Sequence, residues 1–260
     1  MSAEAASLAR RGWIVLPPDA AVTAWAQAAH LAARAVTADP AQQARWLRHG
    51  GTWFVGVDAL PNAPDGSIGG VPLAGDWRRL VRVPAHLHPA QLSVIHPGYP
   101  GRDPGDDDAA HLFRRNRDAA HLDGLLAEGA ARRRHLREPH AWVLGLPLNL
   151  ADPGSSPLVV WDGSPAIILA AFAAAFDGVP PARWGDVDVT AAYHAARRAV
   201  FDTCPRVTVH ALPGQAVLMH RLAIHGVAPW APGAMAPAQG RMIAYFRPVL
   251  TDPTDWLAQD

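Results

Sequence analysis

Residues 114 to 126, RRNRDAAHLDGLL, set a histidine and an aspartate two positions apart, His121 and Asp123. In extended backbone, side chains at i and i+2 leave the same face, so an imidazole nitrogen and a carboxylate oxygen are offered to one point. Both are metal-ligand types. A third donor must come from elsewhere, and the best candidate is His225, which stands in LMHRLAIHGVAPW, is followed by Gly226 and lies 104 positions downstream of His121. Two histidines and one carboxylate on a single face leave three coordination positions open, the donor set of non-haem Fe(II) sites that bind dioxygen. Catalytic zinc more often draws on close-spaced histidine pairs such as HExxH or on cysteine, and structural zinc wants four protein ligands; neither pattern is present. Iron is the expected metal.

Only a fold that returns distant strands to one place can join His121 to His225. Short apolar segments bounded by Gly, Pro or Asp read as strands: GWIVLP (12–17), AQLSVIHPG (90–98), AWVLGLPLNL (141–150), SPLVVWDG (156–163), RVTVHALPG (206–214), QAVLMHRLAIHG (215–226) and RMIAYFRPVL (241–250). Helix formers dominate 19–36, with Asp19 as the cap, and a second helical stretch over 40–51 ends on Gly50 and Gly51. The Gly, Pro and Asn of 56–76 mark a long irregular segment. Two further helical patterns, AIILAAFAAAF and DVTAAYHAARRAVFDT, interrupt the strands. The expected class is α+β with a mainly β core: N-terminal helices packed on a barrel or sandwich of short strands, a helical insert at about 165–203, and one domain over 1–260.

Half of the 260 residues are hydrophobic, enough for a sizeable core. The 23 basic residues, all arginine, balance 23 acidic ones, so no long-range field favours nucleic acid or an anionic membrane. The single cysteine, Cys204, cannot form an internal disulfide, and no apolar run reaches the ~18 residues needed to span a bilayer. A soluble, cytoplasmic protein acting on a small molecule is expected, with neither nucleic acid nor membrane as partner.

AAHLDG, the distal LAIHGVAPW, the preceding LPGQAVLMH and the later GRMIAYFRP resemble the Fe(II)- and 2-oxoglutarate-dependent dioxygenases of the phytanoyl-CoA dioxygenase type. ARRGWIVLP and SPLVVWDGSP extend the likeness over most of the chain. The resemblance implies a double-stranded β-helix, or jelly roll, with His121, Asp123 and His225 as iron ligands and 2-oxoglutarate as co-substrate. It also implies an arginine, on the strand after the distal histidine, that pairs with the far carboxylate of 2-oxoglutarate, a task suited to the guanidinium fork. Arg241, 16 positions beyond His225, is the first choice and Arg247 the second; six apart, they share a strand face. Because halogenating members carry a small residue in place of the aspartate, Asp123 implies hydroxylation, with release of succinate and CO2. The sequence departs from the family at Pro165, where a histidine follows the Gly-Ser pair, and at Trp230, where an asparagine is usual. A catalytically silent jelly-roll protein that binds a small ligand, and a cupin-like metal-dependent hydrolase or isomerase, are the competing readings.

Gln91, on the strand before the motif, is a candidate for hydrogen bonding the co-substrate from the barrel interior. His86 and His88 also have i, i+2 spacing but no acid beside them, and His220 is expected to be structural. His30, His49, His111, His135, His140, His194 and His210 are assigned to surface or helix positions. RRRHLRE (132–138) and the acidic loop GDDDAAH (105–111) read as solvated charge, and Trp142 and Trp161 as core.

Overall fold

The computed structural model describes residues 2–258. Helix α1 (Ala3–Arg11), capped by the Ser2 hydroxyl, leads into strand β1 (Trp13–Leu16). Asp19 caps α2 (Ala20–Ala38) by accepting from the amides of Ala21 and Val22 at 2.7 and 3.3 Å, as its position predicts. Helix α3 (Pro40–Trp46) stops before the paired glycines. Leu47 and Arg48 form a short strand, β2 (Leu47–Arg48), that turns through Gly50 and Gly51 into β3 (Trp53–Gly56). An irregular segment then runs to β4 (Gln91–Ile95).

The acidic GDDDAAH is not a loop throughout: Asp107 accepts from the amide of Ala109 and opens α4 (Asp108–Asn116). Arg132–Glu138, read as solvated charge, lies mostly on a hairpin, β5 (Leu125–Glu128) with β6 (Arg133–Leu136). Its arginines are paired across it and beyond: Arg137 with Glu128 at 2.6 Å, Arg133 with Asp188. There follow β7 (Trp142–Pro147), β8 (Leu158–Trp161), the insert helices α5 (Ser164–Ala175) and α6 (Thr190–Thr203), then β9 (Arg206–Val209). The segment 215–226 is two strands rather than one. β10 (Ala216–His220) belongs to one sheet and β11 (His225–Val227) to another, and residues 221–224 cross between them. The last strand is β12 (Arg241–Phe246).

A seven-stranded antiparallel sheet in the order β1-β10-β7-β12-β4-β3-β2 faces a three-stranded one in the order β11-β8-β9. Period-2 alternation assigns each strand two jobs. Trp142, Leu144 and Leu146 of β7 and Met242, Ala244 and Phe246 of β12 pack outward against Trp25, Ala29 and Ala33 of α2. The opposite face sends Val143, Val217 and Met219 toward Leu158 and Val160 of the small sheet. The outer face of the small sheet, Val159 and Trp161, is buried by Ile168 and Phe172 of α5 and Tyr193 and Val200 of α6. Trp142 and Trp161 are therefore both core residues. This layering of helices, sheet, sheet and helices is the expected jelly roll with N-terminal helices and a helical insert. No helix among the described residues is long and apolar enough to cross a membrane.

Candidate metal centre

His121 and His225 face each other across an isolated antiparallel bridge: His121 donates to the His225 carbonyl at 2.8 Å, and His225 to that of His121 at 3.1 Å. The bridge adds the His121 segment to the free edge of β11. Two glycines allow this close approach. A Cβ on Gly226 would stand 2.1 Å from the Asp118 carbonyl oxygen, and one on Gly124 (φ +84°) would stand 2.1 Å from that of Glu138. Asp123 lies in the turn after His121 and not in a regular strand, but the i, i+2 relation holds. Its carboxylate is 3.2 Å from His121 Nε2 and 3.7 Å from His225 Nε2. The three donor atoms lie within 4.8 Å of one another.

Both rings are oriented from behind. Nδ1 of His121 is 3.0 Å from the Ala119 carbonyl, and Nδ1 of His225 is 3.0 Å from that of Ala223. A carbonyl only accepts, so each Nδ1 carries a proton, which leaves each Nε2 able to give a lone pair to a cation held beside Asp123, the arrangement of metal-ligating imidazoles. Without a cation, His121 Nε2 lies within hydrogen-bond reach of the Asp123 carboxylate at 3.2 Å. Burial pushes His225 down to about 4, keeping it neutral. Burial opposes ionisation of Asp123, but His225, His121 and Arg247 outweigh it and hold the carboxyl well below its usual range. For His121, desolvation of the ring by its neighbours favours the neutral form, while the Asp123 carboxylate and the Ala119 carbonyl more than compensate and raise it. His121 is the exposed member of the set at 47%, against 11% for His225 and 10% for Asp123, so the cluster opens to solvent on that side. Two histidine nitrogens and one carboxylate with neutralised surroundings fit a divalent iron ion.

Supports outside the sequence motif hold the bridge. Arg206 of β9 grips the buried Asp118 carboxylate with two 2.7 Å hydrogen bonds, and the Asp118 carbonyl accepts from Val227 N at 2.8 Å. Ser164, of the Gly-Ser pair at the start of α5, accepts from the Ile224 amide at 2.9 Å, directly before His225. Neither role is readable from sequence, because each partner lies tens of residues away.

Arg241 opens β12 opposite Ile95, on the inward face that also carries Ile243 and Tyr245. Asn149 brackets it, donating to the Gly240 carbonyl at 2.8 Å and accepting from Met242 N at 3.0 Å. Arg241 is 9% exposed and is hydrogen-bonded to Tyr245, but its Nη1 has no hydrogen-bond partner among the described residues, an unsatisfied buried N–H group at a cavity of about 20 Å³ between the sheets. Its charge counteracts the burial that pushes the Tyr245 phenol up. Gly145 on β7 makes room for that ring: a Cβ there would meet Tyr245 Cε1 at 2.8 Å. Gln91 is half-buried on the same inward face, opposite Tyr245. Arg247 is at the other end of the strand, its Nη1 3.6 Å from Asp123 Oδ2.

His88 does not form a metal clamp with His86. Its Nδ1 is 2.6 Å from the Pro89 carbonyl and 3.1 Å from Asp58, and its Nε2 accepts from Arg247 N at 2.9 Å, so both nitrogens are committed. His220 Nδ1 accepts from Leu222 N at 3.0 Å, a structural role as expected. His140, assigned to the surface, is buried in a bridge to Val249, because residues 138–140 pack beneath Gly124. Trp230 donates to the Ala234 carbonyl and is a loop-packing residue. His49, Asp103 and Asp106 form a second cluster of metal-ligand types. There the carboxylates are engaged already, Asp103 by the amides of His49 and Gly50 at 2.8 Å each and Asp106 by Arg114.

No family model matches the chain, and no curated protein does. Among solved structures, the non-haem α-ketoglutarate-dependent carbocyclase SnoK from nogalamycin biosynthesis is 13% identical, with 95% of this chain and 84% of that one covered and a TM-score of 0.51. EctD from S. alaskensis, solved with 2-oxoglutarate and 5-hydroxyectoine, is 20% identical over 95% of this chain and 75% of that one, with a TM-score of 0.49. The likeness to SnoK is one of fold: the two chains share the jelly-roll architecture.

Proposed function

We propose that this chain is an Fe(II)- and 2-oxoglutarate-dependent oxygenase of the phytanoyl-CoA dioxygenase type that hydroxylates a small molecule, the whole chain acting as one oxygenase unit in the cytoplasm. The observation that carries the reading is the pair of Nδ1-anchored imidazoles whose Nε2 atoms converge on one carboxylate. The unpartnered buried Nη1 of Arg241 and the α-ketoglutarate dependence of the similarly folded SnoK support it. In this reading His121, Asp123 and His225 hold the iron, and Arg241 pairs with the distal carboxylate of 2-oxoglutarate. Gln91, on the same interior face, is a further co-substrate contact. Iron with 2-oxoglutarate would supply oxidative attack on an unactivated C–H bond, with succinate and CO2 as by-products.

The protein's own contribution is orientation and charge. The Ala119 and Ala223 carbonyls fix both rings in the ligating tautomer, and the buried Asp123 stays ionised to hold a cation. Asp123 fills the position that a halogenating enzyme would leave for halide, which favours hydroxylation. The test is aerobic: iron-loaded protein should consume dioxygen and form succinate only with 2-oxoglutarate present, and Asp123→Ala should abolish both. Unchanged turnover in Asp123→Ala would remove that residue from the site. Bound metal without any response to 2-oxoglutarate would favour the cupin-like hydrolase or isomerase reading.

A further inference from the structure

Arg247 is not needed to hold 2-oxoglutarate if Arg241 does so, yet it stands beside the metal-ligand cluster. Its Nη1 is 3.6 Å from Asp123 Oδ2, beyond hydrogen-bond range, and that carboxylate already serves two histidines. Its Nε is buried and, among the described residues, without a partner. Glu138, the other acid that feels its charge, is half exposed and turned to His140 at 3.3 Å. The main chain of Arg247 is anchored, because His88 Nε2 accepts from its backbone amide at 2.9 Å, and the side chain is confined, being only 18% exposed. A buried N–H without an acceptor is costly, and a divalent cation bound by Asp123 would add like charge a few ångströms away. An oxyanion lying against the guanidinium relieves both.

We propose that Arg247 is the specificity-determining residue for the substrate, binding a carboxylate carried by the substrate beside the metal, while 2-oxoglutarate goes to Arg241. This rests on the oxygenase reading above. A carboxylate matches the two parallel N–H bonds of the guanidinium fork, and its attachment there would hold the neighbouring carbon atoms near the metal.

The experiment uses protein loaded with Mn(II) in place of iron, together with 2-oxoglutarate, and reads the paramagnetic relaxation of the methyl protons of acetate, with acetamide as the neutral control. The expected result is saturable relaxation of acetate and not of acetamide, weakened at least about tenfold in Arg247→Leu and partly restored in Arg247→Lys, as losing a charge-assisted pair requires. Relaxation of acetate that is unchanged in Arg247→Leu would mean that the metal itself takes the anion, and would overturn the proposal. So would acetate relaxing no better than acetamide in the unaltered protein. If Arg247→Leu, and not Arg241→Leu, raises the 2-oxoglutarate concentration needed for saturation, the oxyanion at Arg247 is the co-substrate's own and the proposal falls. Failure of the unaltered protein to bind Mn(II), seen before any acetate is added, would instead bring down the oxygenase reading and the proposal with it.

Discussion

The main chains of His121 and His225 hydrogen-bond to each other in both directions, at 2.8 and 3.1 Å, although the residues lie 104 positions apart. The proposed ligand set is thus built on backbone pairing and does not depend on the side chains that would do the ligating. His121→Ala and His225→Ala should each weaken metal binding by about a hundredfold or more while shifting Tm little, since the bridge survives. Metal titration and thermal melts on the same samples check this. A large loss of Tm with metal affinity intact would mean that the imidazoles hold the fold and not the ion.

Arg206 should matter to the site without touching it. Its two bonds to the 4%-exposed Asp118 carboxylate hold the segment leading into His121. Arg206→Leu leaves that carboxylate buried and unpaired, and is expected to cost about 2 kcal/mol, a figure kept low because Arg206 itself is 45% exposed. Urea unfolding measures the loss, and metal affinity should fall with it. An unchanged unfolding midpoint would show that water serves Asp118 equally well.

Gly145→Ala should separate the proposed co-substrate pocket at Arg241 from the proposed metal centre. The added methyl would stand 2.8 Å from the Tyr245 ring, which lies on the face of β12 that carries Arg241. Overpacking of this kind costs about 1–3 kcal/mol and displaces the phenol. Affinity for 2-oxoglutarate should drop while metal affinity is kept. Calorimetric titration of each ligand decides, and equal affinity for 2-oxoglutarate in the variant would detach Tyr245 from that pocket.

Tyr99 carries a pH dependence. Burial pushes its phenol up to about 12 from the ordinary 10.0, so the folded state holds that proton more tightly than the unfolded chain. A raised folded value contributes stability that is complete below pH 10 and is lost as pH rises toward 12. The loss should approach about 3 kcal/mol. Unfolding free energies across that window, compared between the parent protein and Tyr99→Phe, should show a shallower decline in the variant; parallel curves would argue against a buried, neutral phenol.

Much of the fold was legible because its signals are local. Asp19 caps α2 as read, β7, β8 and β12 fall within their apolar segments, and the helical insert lies between β8 and β9. Elements whose charge conceals their pattern were not legible. The hairpin of β5 and β6 carries Arg133, Arg134 and Glu128 on its strands, and α4 buries no residue, so neither shows the apolar periodicity that marks an element. The crossing at residues 221–224 reads as continuous strand because nothing in its composition breaks it. At the site, ligand types and spacing pointed to His121, Asp123 and His225, whereas Asn149, Ser164 and Arg206 act through partners far along the chain and left no local trace.

The most direct measurement is an anaerobic titration of the Fe(II)-loaded protein with 2-oxoglutarate, followed by visible absorption. The expected result is a saturable charge-transfer band, absent in His121→Ala and requiring far more 2-oxoglutarate in Arg241→Leu. Stoichiometric iron binding with no such band at saturating 2-oxoglutarate would contradict the assignment of this site to 2-oxoglutarate-dependent oxygenation.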